Sequence, residues 1–230
     1  MILPALIAGA SVVGGLAHGA FHRNSAIFGP VLGRLPTRER VAALTFDDGP
    51  NPLATPRILD VLAEYGAHAT FFFLGARAEK WPAIVQRAAD EGHQIGNHGY
   101  FHRKLHFRSP SYIRQDISLG TAAITSCAGQ PPAFFRAPHG FRNPWVSSIA
   151  ASLQQRTVGW SLGVWDSDKP GSEVITARTL EGVKPGSIIL LHDGDGYDDR
   201  GDRHQTAEAL SGIIEGLGAR GYTLSTLPIA

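Results

Sequence analysis

Short apolar runs recur along this chain, and five of them end in residues more polar than a plain turn needs. That pattern constrains the fold more than any bulk property does. After Val41–Phe46 comes Asp47-Asp48-Gly49-Pro50, and after Gln94-Ile95 comes Gly96-Asn97-His98, with His102 four residues further on. After Ala133–Phe135 comes Arg136-Ala137-Pro138-His139-Gly140. The run at 157–160 leads to Asp166, and Ile188–Leu191 leads to His192-Asp193. In parallel α/β folds the active face lies at the carboxyl ends of the strands, so the five clusters are expected to converge on one mouth.

Helix-like stretches separate the runs. Thr55–Tyr65, Pro82–Asp90, Ser111–Ser126, Pro144–Ser152, Ser172–Leu180 and Gln205–Gly218 read as helices, with Pro82 suited to a first helical turn. Ala69–Phe73 and Tyr222–Thr226 add further strands. This alternation predicts an α/β domain with a mostly parallel sheet. About seven such units suit a distorted (β/α)7-type barrel in a single domain. A doubly wound open sheet is the second choice.

With 43% hydrophobic and 18% charged residues the chain is not a disordered one. A formal net charge of +1 gives no electrostatic footprint for nucleic acid. Cys127 is the single cysteine, so no internal disulfide forms. Residues 1–21 contain no Asp, Glu, Lys or Arg. They read as a membrane anchor, as a signal peptide cut ahead of Ala20, or as an arm packed on the domain. Four glycines and Pro4 weaken a helix there, and Arg23, Arg34, Arg38 and Arg40 follow it, which favours a cytoplasmic remainder by the positive-inside rule. The expectation is an N-terminal segment and linker over 1–40, with membrane contact through 1–21, and a catalytic domain over 41–230. The uncharged segment itself implies export to the cell envelope or medium, against the charge pattern that follows it.

Taken singly, each polar cluster has an ordinary reading: a capped turn, a surface cation, a core histidine. Together they have a chemical logic. One carboxylate and two imidazoles, His98 and His102 at helical i, i+4 spacing, make a three-ligand set with an open position for a divalent metal, zinc before cobalt or manganese. A second carboxylate beside it takes a proton from water, and a later histidine delivers one to a leaving group. An Arg–Asp pair would keep the free carboxylate ionised. Such a constellation is a metal-assisted amide or ester hydrolase.

The residues resemble the polysaccharide deacetylases of carbohydrate esterase family 4. Thr45-Phe-Asp-Asp-Gly-Pro50 and Leu190-Leu-His-Asp193 match that family's first and fifth motifs, and His98-Gly-Tyr-Phe-His102 its second. Arg136-Ala-Pro-His-Gly140 and Trp160–Gly171 are similar to the third and fourth. The resemblance implies Asp47 as general base and His192 as general acid, with Asp48, His98 and His102 on the metal. It implies that Arg136 and Asp166 tune Asp47, that the His139 backbone N–H serves an oxyanion, and that Leu191 lines an acetyl pocket, whose wall Trp160 or Trp165 would supply. N-acetylated glycans are the substrates it implies.

Three positions depart from the family's pattern: Gly99 stands where Ser or Thr is usual, His139 where Tyr is, and Ser167 where Trp is. The expected activity is N-deacetylation of an N-acetylglucosamine-containing glycan, releasing acetate. An O-acetyl esterase acting on a polymer such as xylan is the alternative enzyme. An inactive carbohydrate-binding relative would lack Asp47 or His192, and both are present. The acidic loop Asp193–Asp202 lacks EF-hand spacing and reads as a rim that touches sugar through Tyr197.

Overall fold

The strand Val41–Asp47 (β1) shows how the chain is built, because every residue after Val41 is buried. Its side chains alternate between two cores, as strand geometry requires. Ala42, Leu44 and Phe46 join an outer cluster with Ile58, Ile189, Ile213 and Leu217, while Ala43 joins an inner cluster with Phe72, Phe134 and Ile188. A strand buried on both faces belongs in the middle of a helix-covered parallel sheet.

The computed structural model describes residues 13–229 and places β1 in that position. The remaining strands are β2 (Thr70–Phe73), β3 (Gln94–Asn97), β4 (Phe134–Phe135), β5 (Arg156–Thr157), β6 (Leu162–Gly163), β7 (Ser187–His192) and β8 (Thr223–Leu224). Residues 13–21 lie in helix α1. After it come α2 (Thr55–Glu64), α3 (Gly75–Lys80), α4 (Pro82–Asp90), α5 (Pro110–Ala128), α6 (Val146–Ser152), α7 (Ser172–Gly182) and α8 (His204–Ala219). All pairings are parallel, in the order β5-β4-β3-β2-β1-β7-β6, with β8 added to the start of β1. The sheet curls into a distorted seven-stranded (β/α) barrel, as expected, and not into a flat doubly wound sheet.

The curl leaves a seam between β5 and β6, and the N-terminal segment fills part of it. Leu32 pairs with Val158 just past β5: its N–H donates to Thr157 O and its carbonyl accepts from Gly159 N, both at 3.0 Å. Leu35 N then donates to Gly186 O, just before β7, at 2.8 Å. Both leucines sit in the inner core.

Local signals explain the helix ends. In α5 the Ser109 hydroxyl accepts from Tyr112 N, Pro110 opens the first turn, and Gly129 closes it in the left-handed region at φ 74°. The sequence missed α3 and β6, and placed a strand at 157–160 where the ladder covers Arg156–Thr157. Among the described residues no helix is long and apolar enough to cross a membrane. The expected anchor or signal rests mostly on residues 1–12, outside the described part.

Candidate active site and metal centre

Asp47 ends β1 in register with His192 of β7, so the two start on the same rim. Asp48 then takes φ 75°, a left-handed turn. This answers a geometric difficulty, since neighbours along a strand point to opposite faces. The turn swings the second carboxylate back to the site that the first one faces. Buried Asp193 holds the turn: its backbone N–H donates to Asp47 O at 3.2 Å, and its carboxylate accepts from the Thr55 hydroxyl at 2.5 Å. A Cβ on Gly49 would collide with that carboxylate, so the glycine is required by close approach.

Asp48, His98 and His102 are buried together, with one candidate ligand atom from each inside a 4.8 Å span. Asp48 Oδ1 lies 3.0 Å from His102 Nε2 and 3.3 Å from His98 Nε2. His98 Nδ1 is 2.9 Å from the Arg136 carbonyl, which can only accept. Nδ1 therefore carries the proton, leaving the Nε2 lone pair aimed at Asp48, the tautomer a metal ligand needs. Burial opposes ionisation of Asp48, but the His102 and His98 imidazoles hold its carboxyl well below the usual carboxylate range. A buried anionic oxygen beside two imidazole nitrogens suits a divalent cation, and these residues fit one.

The histidine pair is not on a helix, contrary to expectation. Residues 98–102 form a loop, with Gly99 at φ 82° and His102 at φ 53°. The spacing of four works because the loop doubles back, bringing the ring centroids to 5.4 Å. Gly99 is now explained as well. A Cβ there would sit 2.5 Å from Asp116 Oδ2, and that buried carboxylate accepts from Tyr100 N and Phe101 N. Gly99→Ser, which restores the family's usual residue type, is expected to destabilise the protein by about 2 kcal/mol. Urea unfolding checks this, and an unchanged midpoint at unchanged slope would contradict it.

Asp47 faces a different partner. Arg136, wholly buried, donates from Nη1 to Asp47 Oδ1 at 2.6 Å and to Thr45 Oγ1 at 2.9 Å, and from Nη2 to Gly159 O at 2.9 Å. Its guanidinium lies 4.1 Å from the centroid of the Phe72 ring. The other carboxylate oxygen, Oδ2, is 3.8 Å from His98 Nε2, at the edge of the ligand set. Burial pulls the Arg136 pKa down, while the Asp47 carboxylate supports its charge.

Asp166 does not join this pair, contrary to the role expected of it beside Arg136. Its Oδ1 is 2.8 Å from His192 Nδ1, and its Oδ2 accepts from His192 N at 2.7 Å and from Thr206 Oγ1 at 2.9 Å. A 3-10 turn over Asp166–Asp168, entered through Trp165 at φ 58°, carries the carboxylate under the end of β7. Burial would lower the His192 pKa, but Asp166 outweighs it and the imidazole is pushed up to about 9.

Leu191 does not line the cleft, contrary to expectation. It is fully buried in the outer core, and Leu190 lines the cleft instead. The two-residue period of β7 sends Ile188, Leu190 and His192 to the barrel side and Leu191 to the helix side. Trp160 and His139 line the cleft, in a cavity of about 610 Å³ that also contains Asp47, Asp48, His98, His102 and His192. His139 sits at φ 60°, its ring 4.7 Å from that of His102 and its Nε2 3.1 Å from the Tyr197 hydroxyl. Burial lowers its pKa to about 4, so the ring is neutral near pH 7. Trp165 also lines this cleft, and so do Phe21 and Arg23, which no local sequence signal marked.

Known proteins resemble this chain over most of its length. Residues 34–158 match the family model for polysaccharide deacetylase. A chitooligosaccharide deacetylase of Sinorhizobium fredii is 39% identical over 191 residues, covering 80% of this chain and 89% of that protein. A peptidoglycan-N-acetylglucosamine deacetylase of Bacillus cereus is 37% identical over 204 residues, covering 86% and 92%. Among solved structures, a peptidoglycan N-acetylglucosamine deacetylase in complex with an N-oxidanyl-benzamide superposes with a TM-score of 0.81 at 36% identity, covering 86% of this chain and 91% of that one.

Proposed function

The chain belongs to the polysaccharide deacetylase family, carbohydrate esterase family 4, and from that premise we propose that it removes N-acetyl groups from an N-acetylglucosamine-containing glycan by paired acid and base catalysis. One observation carries the assignment of roles. Two separately anchored groups, Asp47 on Arg136 and His192 on Asp166, share one cleft with the Asp48–His98–His102 set. The relatives named above are deacetylases of chitooligosaccharide and of peptidoglycan N-acetylglucosamine, and we carry that substrate class over.

Asp48, His98 and His102 would hold a divalent ion, which would supply Lewis-acid chemistry at the acetyl carbonyl; zinc would suit this ligand set best, with cobalt or manganese as substitutes. Asp47 Oδ2 takes a proton from the water that adds to the acetyl carbon. Arg136 donates to Oδ1, so the base is held with Oδ2 free to act. The developing oxyanion is received by the backbone N–H of His139 in its left-handed turn. His192 Nε2 gives its proton to the nitrogen as the C–N bond breaks, and acetate and a free amine leave. Leu190 and Trp160 enclose the acetyl methyl, the role first expected of Leu191.

Metal analysis with acetate release tests this reading. His98→Ala and His102→Ala are each expected to lose metal by at least about tenfold in affinity, together with acetate release from N-acetylglucosamine oligomers. Metal content unchanged in both variants would defeat the site. Acetate released from acetylated xylan but from no N-acetylated glycan would assign the enzyme to O-acetyl esters instead. For the N-terminal 21 residues we keep an envelope or secreted location as a proposal, resting on their lack of charged side chains.

A further inference from the structure

Residues 20–24 precede the segment matched by the family model, yet two of them, Phe21 and Arg23, line the catalytic cleft. They are tied down closely. Arg23 Nε and Asn24 Nδ2 both donate to Trp160 O at 2.9 Å, and the Arg23 guanidinium lies 5.3 Å from the Trp160 ring centroid. Arg142, itself 1% exposed, donates from its backbone N–H to Ala20 O at 3.1 Å and from Nη2 to Ser25 O at 2.6 Å. Two glycines make room. A Cβ on Gly140, at φ 72°, would sit 3.0 Å from Arg23 Cβ, and one on Gly159 would collide with the Asn24 side chain.

What this segment presents to the cleft is chemically specific. Phe21 meets Phe141 edge-on, with centroids 5.4 Å apart and planes at 84°. Phe141 stacks on His139 at 5.7 Å, and His139 lies 4.7 Å from the metal-set residue His102. A row of rings thus runs outward from His102 to Phe21, which keeps 53% of its surface exposed. Aromatic faces take the apolar C–H faces of pyranose rings, and a planar guanidinium donates to hydroxyl and amide oxygens.

We propose that residues 20–24 form a glycan-binding wall of this active site, in which Phe21 and Arg23 hold sugar residues remote from the one that loses its acetyl group. The inference rests on the deacetylase reading and adds chain-length selection to it. The N-terminal segment is then part of the substrate site as well as a plug for the barrel seam.

The test compares kcat/KM for the N-acetylglucosamine pentamer with that for the dimer, in the wild-type chain and in Phe21→Ala, Phe21→Leu and Arg23→Ala. Phe21→Leu keeps apolar contact with Phe141 but removes the flat face. The pentamer-to-dimer ratio is expected to fall about tenfold in Phe21→Ala and in the same direction in the other two, mainly through KM for the pentamer. A ratio equal to wild type in all three variants, whether or not overall activity falls, would overturn the proposal. Wild-type protein that releases acetate from no oligomer of any length would overturn the deacetylase reading beneath it as well.

Discussion

Asp47→Asn is expected to lose about 10³-fold in turnover while keeping its metal, and Asp48→Asn to lose turnover because it loses the metal. The two residues are adjacent, so only their surroundings separate their roles. Asp48 Oδ1 faces both imidazole Nε2 atoms, whereas Asp47 Oδ1 is engaged by a guanidinium and its Oδ2 points toward the rim of the set. Competition with a chelator measures affinity, and turnover is recorded at saturating metal. Excess metal is expected to restore part of the activity of Asp48→Asn and none of that of Asp47→Asn. The reverse pattern would exchange the roles, and restoration of both would remove the dedicated base. Asp47→Asn also leaves Arg136 buried without its counterion, which costs about 3 kcal/mol in comparable pairs. Assays therefore belong well below the melting transition of the variant.

The sequence disclosed those parts of the site that depend on local pattern. Asp47, Asp48, His98, Arg136 and His192 each follow a strand or a short apolar run, and the carboxyl ends of parallel strands meet by topology alone. The misreadings lie where a partner is set by tertiary packing. Asp166 bonds His192 because a 3-10 turn through Trp165 carries it beneath β7, and nothing near position 166 announces that turn. The Leu190–Leu191 assignment turned on which of two adjacent leucines faces the barrel. His192 had already fixed that choice, since residues two apart share a face. β6 is two residues long and is held only by its pairing with β7, too short for any periodicity to register. Phe21 and Arg23 reach the cleft through contacts with residues far along the chain, such as Phe141 and Trp160.

Loss of the Asp166 carboxylate is expected to move the pH dependence of the reaction rather than abolish it outright. His192 is pushed up to about 9 because Asp166 outweighs the effect of burial. A general acid must be protonated to act, so wild-type activity toward N-acetyl substrates is expected to hold through neutral pH and fall as pH rises through about 9. In Asp166→Asn burial still lowers the imidazole pKa while the main opposing charge is gone. The alkaline limb then shifts to lower pH, and at pH 8 turnover is expected to drop by about 10²-fold, with recovery as the pH is lowered. The stability linkage has the same sign. A histidine whose folded pKa exceeds its unfolded value stabilises the fold most below about 6.5 and loses that contribution as pH rises through about 9. The melting temperature of Asp166→Asn should therefore differ most from wild type at low and neutral pH and least above pH 9. An activated acetyl ester, whose leaving group needs no proton, separates acid catalysis from general damage. If Asp166→Asn slows the ester as much as the N-acetyl substrate at every pH, then Asp166 and His192 serve only to hold the fold together. A limb that shifts for the amide but not for the ester fixes His192 as the proton donor.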